Sequence, residues 1–99
     1  MISMSVQSNA EKPMKARSET RQMYDILRCI SEDESKPISR INGICGLTHG
    51  STKKYLQLFL VQDIAVCSHG NYSISARGRE FLNYLEETRK HLQEFGMDL

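Results

Sequence analysis

The feature that most constrains this chain is a junction of three residues, Gly46-Leu47-Thr48, between two helical patterns. Before it, Ile41 and Cys45, with Ile44 beside them, make a short apolar stripe at helical spacing. After it, Thr52, Tyr55, Leu56, Phe59 and Leu60 make a longer one. Gly46 predicts the stop of the first helix, and Thr48 or Ser51 the cap of the second. Helices joined this tightly must turn sharply, and each can bury only one face. The face of the second that is left over carries Ser51, Lys54 and Gln57, and it needs an explanation.

The flanking segments complete a pattern. Met23, Ile26, Leu27 and Ile30 predict a helix from about Arg17, capped by Ser18 or Thr20 and ended by the acidic turn before Pro37. Ser39 is the expected cap of the short helix that follows. Beyond the longer helix, "IAVCS", "HGN" and "YSIS" read as two short strands around a turn, with Ile64, Val66, Tyr72 and Ile74 half-buried. Ser75 then caps a helix opening "ARGREFL". Three helices, a hairpin and a further helix define an α+β, mainly α class, the winged helix-turn-helix. Its domain is expected at residues 17–79, with a recognition helix at about 50–62 and a wing at 64–74. Residues 1–16 are polar and aperiodic and are read as a disordered tail, with Met4 or Met14 as alternative starts.

The last helix is longer than such a domain needs. Tyr84, Leu85, Thr88, Leu92 and Phe95 fall close to a heptad seam, so residues 80–99 are expected to pair with a second copy and make a homodimer. Leu58 and Val61 stand off the core face of the recognition helix and could join an oligomer surface.

Composition excludes several classes. No apolar run approaches a membrane span and no secretory signal opens the chain, which predicts a cytoplasmic protein. Cys29, Cys45 and Cys67 have neither zinc nor disulfide-framework spacing, and no metal or cofactor is expected. His49, His69 and His91 are far apart and lie in no catalytic motif, so an enzyme is not expected. The net charge is only +1, but it is unevenly distributed. Residues 36–79 hold six basic side chains against Asp63 alone, a net of +5, whereas 1–35 sum to −1 and 80–99 to −3.

"SETRQMYDILRCISE", "ISRINGICGLTHGSTKKYLQLFLVQDIA" and "YSISARGREFLNYLEE", in that order, resemble the small archaeal winged-helix DNA-binding proteins. The resemblance covers about residues 17–90. It implies a compact, transcriptional-regulator-like domain that binds duplex DNA, at an operator or without sequence preference and without catalysis; some members of the family dimerise through a C-terminal helical coiled coil. Two positions depart from the family's pattern. The recognition helix opens His49-Gly50-Ser51-Thr52, where an aromatic residue and a leucine are usual, and Asp63 stands where a glycine usually turns the chain into the wing.

The residues themselves suggest how duplex DNA would be held. Gly50, Lys54 and Gln57 point away from the core stripe, with Thr48, His49, Ser51 and Lys53 at the leading end or flanks. Lys54 could reach guanine or phosphate, Gln57 adenine, and Lys53 phosphate. Arg40 is a candidate backbone contact, His69 and Asn71 candidate wing-tip contacts, and Arg77 a candidate phosphate contact at the start of the last helix. A nucleoid-associated protein on double-stranded DNA, with no membrane and no small-molecule ligand, is the resulting expectation. The alternative is a winged-helix protein–protein interaction module that does not bind DNA, favoured by the low net charge and by Leu58 and Val61.

Overall fold

A computed structural model of the protein describes residues 17–99, so the tail expected at 1–16 lies outside the described residues. The elements run α1 (Glu19–Ile30), β1 (Lys36–Pro37), α2 (Ile38–Cys45), α3 (His49–Val61), β2 (Ala65–Ser68), β3 (Asn71–Ile74) and α4 (Ala76–Glu94). Among the described residues this is the winged helix-turn-helix arrangement: four helices and a small antiparallel sheet in the order β1-β3-β2.

Local chemistry sets most of the boundaries. The side chains of Ser18, Thr48 and Ser75 accept from the amides of Arg21, Ser51 and Gly78, satisfying orphan donors at the starts of α1, α3 and α4. The start of α2 differs from expectation. Pro37, not Ser39, holds the cap position, without a side-chain bond, and Ser39 lies inside the helix. Pro37 is also paired with Asn71 as part of β1, so the extended backbone of a sheet edge leads straight into the helix. That third strand was not anticipated.

Gly46 ends α2 in the left-handed conformation, φ +66°, where a side chain would be strained. Its amide donates to the Asn42 carbonyl at 2.8 Å. Arg17 reinforces this end from outside, donating to the carbonyls of Cys45 and Gly46 at 2.9 and 3.1 Å while pairing with Asp25 at 2.6 Å. Carbonyls that α2 leaves unpaired at its end thus find a guanidinium.

The core joins Ile26, Leu27 and Ile30 of α1 to Ile41 of α2, Leu56 and Phe59 of α3, and Leu82 and Leu85 of α4. Tyr24 and Cys29 are buried as well. Ile44 is 53 % exposed, so α2 buries a narrower stripe than its apolar residues offer.

On β2 the expected parity is off by one, whereas on β3 Tyr72 is half-buried and Ile74 buried, as expected. Ala65 is the buried residue of β2, paired with Ile74, while Val66 pairs with Ser73 and is 49 % exposed. Successive strand residues alternate faces, so burying Ala65 forces Val66 outward.

Lys36 belongs to the basic block in sequence but not at the surface. It is 3 % exposed, and its ammonium donates to the carbonyls of Cys29 and Glu34, both at 3.1 Å, and pairs with Glu32 at 2.9 Å. Three oxygens replace the water it gives up.

The seam expected on α4 also changes. Leu85 is 4 % exposed, packed in the core of its own chain, and has no surface left for a partner. Arg89, farther along, lies 5.3 Å from the Tyr24 ring centroid and donates to the Tyr24 hydroxyl at 3.2 Å. It also holds the Asp98 carboxylate at 2.8 Å, which brings the chain's last residues back beside α4 and α1. The second half of α4 therefore has more of its own domain to touch than its sequence implies. Tyr84 and Phe95 remain exposed, and Thr88 and Leu92 are half-buried.

Candidate nucleic-acid interface

Helix α3 separates two surfaces cleanly. Thr52, Tyr55, Leu56 and Phe59 are buried, with the Thr52 hydroxyl donating to the Thr48 carbonyl at 3.0 Å. His49, Gly50, Lys53, Lys54, Gln57, Leu58 and Val61 are exposed, and Ser51 is half-buried. No atom lies within 4 Å of a β-carbon built on Gly50, so the leading turn is open for close approach.

The start of α3 is fixed through the turn. Thr48 is exposed but committed to capping, its hydroxyl bonded to the amide and hydroxyl of Ser51. The Asn42 side-chain amide lies 3.4 Å from Nδ1 of His49, linking α2 to the first residue of α3. The side-chain oxygen of Asn42, Oδ1, is buried without a partner. Lys54 rests its ammonium 4.6 Å from the Tyr55 ring centroid. Leaving that ring to reach a phosphate would give up a contact worth about 0.5–1 kcal/mol.

The other candidates are more dispersed. Arg40 is exposed in the first half of α2, and its charge helps hold the Glu32 carboxyl below its ordinary range, after the larger effect of Lys36. That places it toward the end of α1. His69 and Gly70 form the hairpin turn, both with positive φ, +54° and +78°, which suits a tight two-residue connection. His69 is exposed, with Nδ1 3.0 Å from the Ser68 hydroxyl. Asn71 directly follows the turn and forms the hairpin's closing pair with Ser68. It opens β3, half-buried between Ser68 and Pro37. Arg77 is exposed in the first turn of α4, whose cap, Ser75, donates to the carbonyls of Asp63 and Ile64 just past the end of α3.

Asp63 has φ +60° and is exposed. The position needs the left-handed backbone that glycine supplies at least cost, and here a carboxylate occupies it. Sequence reasoning singled out this residue but passed over Gly78, Arg17 and the burial of Lys36. Gly78 carried a signal, since glycine is a poor helix former placed inside a helical pattern. Long-range partners such as those of Arg17 and Lys36 leave no periodic trace.

Among the described residues no cluster of three or more His, Cys, Asp or Glu is placed to hold a metal ion. No helix among them is long and apolar enough to cross a membrane.

The fold and the free face of α3 define a winged helix-turn-helix domain. The chain belongs to the winged helix-turn-helix family, whose model matches residues 16–93. No curated protein matches it in sequence. Among solved structures it is similar to a protein of unknown function from Listeria innocua Clip11262, with a TM-score of 0.63 and 17 % identity over 87 % of this chain and 69 % of that one. It is also similar to the MarR family transcriptional regulator SPO1453 from Silicibacter pomeroyi DSS-3, with a TM-score of 0.58 and 12 % identity over 92 % and 68 % of the two chains. At these identities the likeness is one of fold.

Proposed function

We propose that this chain is a double-stranded DNA-binding transcriptional regulator, acting in the cytoplasm on chromosomal DNA without catalysis. In this reading α3 enters the major groove, the hairpin turn at His69 approaches the flanking backbone, and α4 pairs with a second copy. The observation that carries it is the polar, basic and open free face of α3: Gly50, Lys53, Lys54 and Gln57 are all exposed while the opposite face is sealed in the core. Cations at such a face meet phosphates, and amide and ammonium groups meet base edges. Arg40 and Arg77 are supporting phosphate contacts; Thr48 acts through the helix start it caps, with Ser51 as its bonded partner.

A second reading rests on Leu58 and Val61, which are 45 % and 78 % exposed on the same helix. An apolar pair there fits a protein-docking module. Fluorescence anisotropy with a labelled random-sequence duplex at low and moderate salt separates the two. DNA binding predicts micromolar affinity that falls with salt, and weaker binding with a shallower salt slope for Lys54→Ala. No binding at low salt would remove nonspecific DNA affinity and favour the docking reading.

A further inference from the structure

Two of the three cysteines meet across the α1–α2 contact, an arrangement the DNA reading leaves unused. Cys29 is 3 % exposed on α1, and Cys45, the last residue of α2, is half-buried. The Cys45 thiol lies 3.5 Å from the Asp25 carbonyl oxygen. Within a helix that carbonyl accepts the amide of the residue four positions on, which is Cys29, so the Cys45 sulfur stands beside the turn that carries Cys29. Both residues line one cavity of about 560 Å³, whose charged groups are Arg17 and Arg28 against Asp25, Glu32 and, from α4, Glu86. Cys67 is exposed on β2, on a different part of the fold.

We propose that Cys29 and Cys45 form an oxidisable dithiol, closed to an intramolecular disulfide by a low-molecular-weight disulfide that enters through this cavity. Cys45 is the more accessible thiol and reacts first. Its thiolate attacks one sulfur of the small disulfide, whose S–S bond breaks, and one small thiol leaves with the proton Cys45 gave up. The thiolate of Cys29 then attacks the Cys45 sulfur and expels the second small thiol, which takes the second proton. Two protein thiols are oxidised and one small disulfide is reduced to two thiols.

Burial protects the pair from casual oxidation. Desolvation raises the Cys29 thiol, and desolvation together with the neighbouring Cys29 pushes Cys45 up to about 12. Thiolate, the reactive form, is therefore scarce near neutrality and its fraction grows with pH. Closure would tie α1 to the residue just before Gly46, at the turn that sets the direction of α3.

The test uses the full chain carrying Cys67→Ser, treated with oxidised glutathione over a range of pH in which circular dichroism shows the native helix content. The expected product is a monomeric chain lighter by two hydrogens, restored by dithiothreitol, with Cys29 and Cys45 in one linked peptide after proteolysis. Its rate of formation rises with pH. Adding Cys29→Ser halts the reaction at a glutathione adduct on Cys45, and adding Cys45→Ser abolishes the linked peptide. The proposal is overturned if the Cys67→Ser chain stays reduced, stops at stable adducts, links only between chains, or closes only when unfolded.

Discussion

Gly78 leaves no room for a β-carbon against Ile64: one built there overlaps the Ile64 carbonyl oxygen and lies 2.6 Å from Cγ1 of Ile74. The first turn of α4 can therefore dock on the strand entry only with glycine at this position. Gly78→Ala gains up to about 1 kcal/mol in helix propensity. Displacing backbone costs more, and a net loss of about 2–4 kcal/mol is expected. Gly43, also inside a helix, has nothing within 4 Å of its built β-carbon, so Gly43→Ala should stabilise by up to about 1 kcal/mol. Urea unfolding of the two variants beside the wild type checks both signs.

Lys36 provides a second test, because its charge is buried rather than offered to a ligand. Lys36→Ala removes the partner of Glu32 and of two carbonyls, and should cost about 2–3 kcal/mol of stability. Lys53→Ala, at an exposed position, should stay within about 0.5 kcal/mol of wild type. If the two variants unfold at the same denaturant midpoint, the buried-ammonium account is wrong.

Asp63 couples backbone and charge. Asp63→Gly relieves a left-handed side chain but frees the unfolded backbone, and a net gain of about 0.5 kcal/mol is expected. Asp63→Asn keeps a side chain that tolerates this conformation, so its stability should barely move. Both remove a carboxylate, and on the DNA reading both should tighten duplex binding by a similar factor. Thermal unfolding and anisotropy on the same samples separate the two effects.

The Asp98 carboxyl is held below its ordinary range first by its hydrogen bonds from Arg89, then by the Leu99 amide. A depressed carboxyl contributes stability above its unfolded value, and that contribution is lost as pH falls through the lower folded value. Wild type should therefore exceed Asp98→Asn in stability at neutral pH, and the difference should close only in acid, below about pH 4. Unfolding midpoints of the pair across that range provide the check.

The parts of the fold that were legible in the sequence are those written in local chemistry. Ser18, Thr48 and Ser75 cap where hydroxyls precede apolar periodicity, and Gly46 stops α2 where a left-handed residue is needed. The buried face of α3 follows from spacing alone. Pairings between distant segments were not legible. β1 consists of only two residues, too few to show alternation, and it exists because Asn71 and Tyr72 pair with it. Val66 was expected inside with Ile64, two positions before it, whereas the register with β3 sets Ala65 opposite Ile74 on the inner face. For the candidate site, the exposure of Lys53, Lys54 and Gln57 followed from the helix period. The position of Asn71 inside the sheet and the retention of Lys54 over Tyr55 depend on tertiary contacts.

The same distinction bears on assembly. Leu85 and Phe95 belong to one apolar series in sequence, yet Leu85 is 4 % and Phe95 75 % exposed. Leu85→Ala should thus act on the fold of each chain, costing about 2–5 kcal/mol. If α4 pairs with a second copy, it does so through Tyr84, Thr88, Leu92 and Phe95. Tyr84→Ser combined with Phe95→Ser should then shift the mass measured by sedimentation equilibrium from dimer toward monomer, while the helical circular dichroism signal is kept. A dimer that survives this double substitution would assign assembly to another surface, and Leu58 and Val61 of α3 would be the next pair to change.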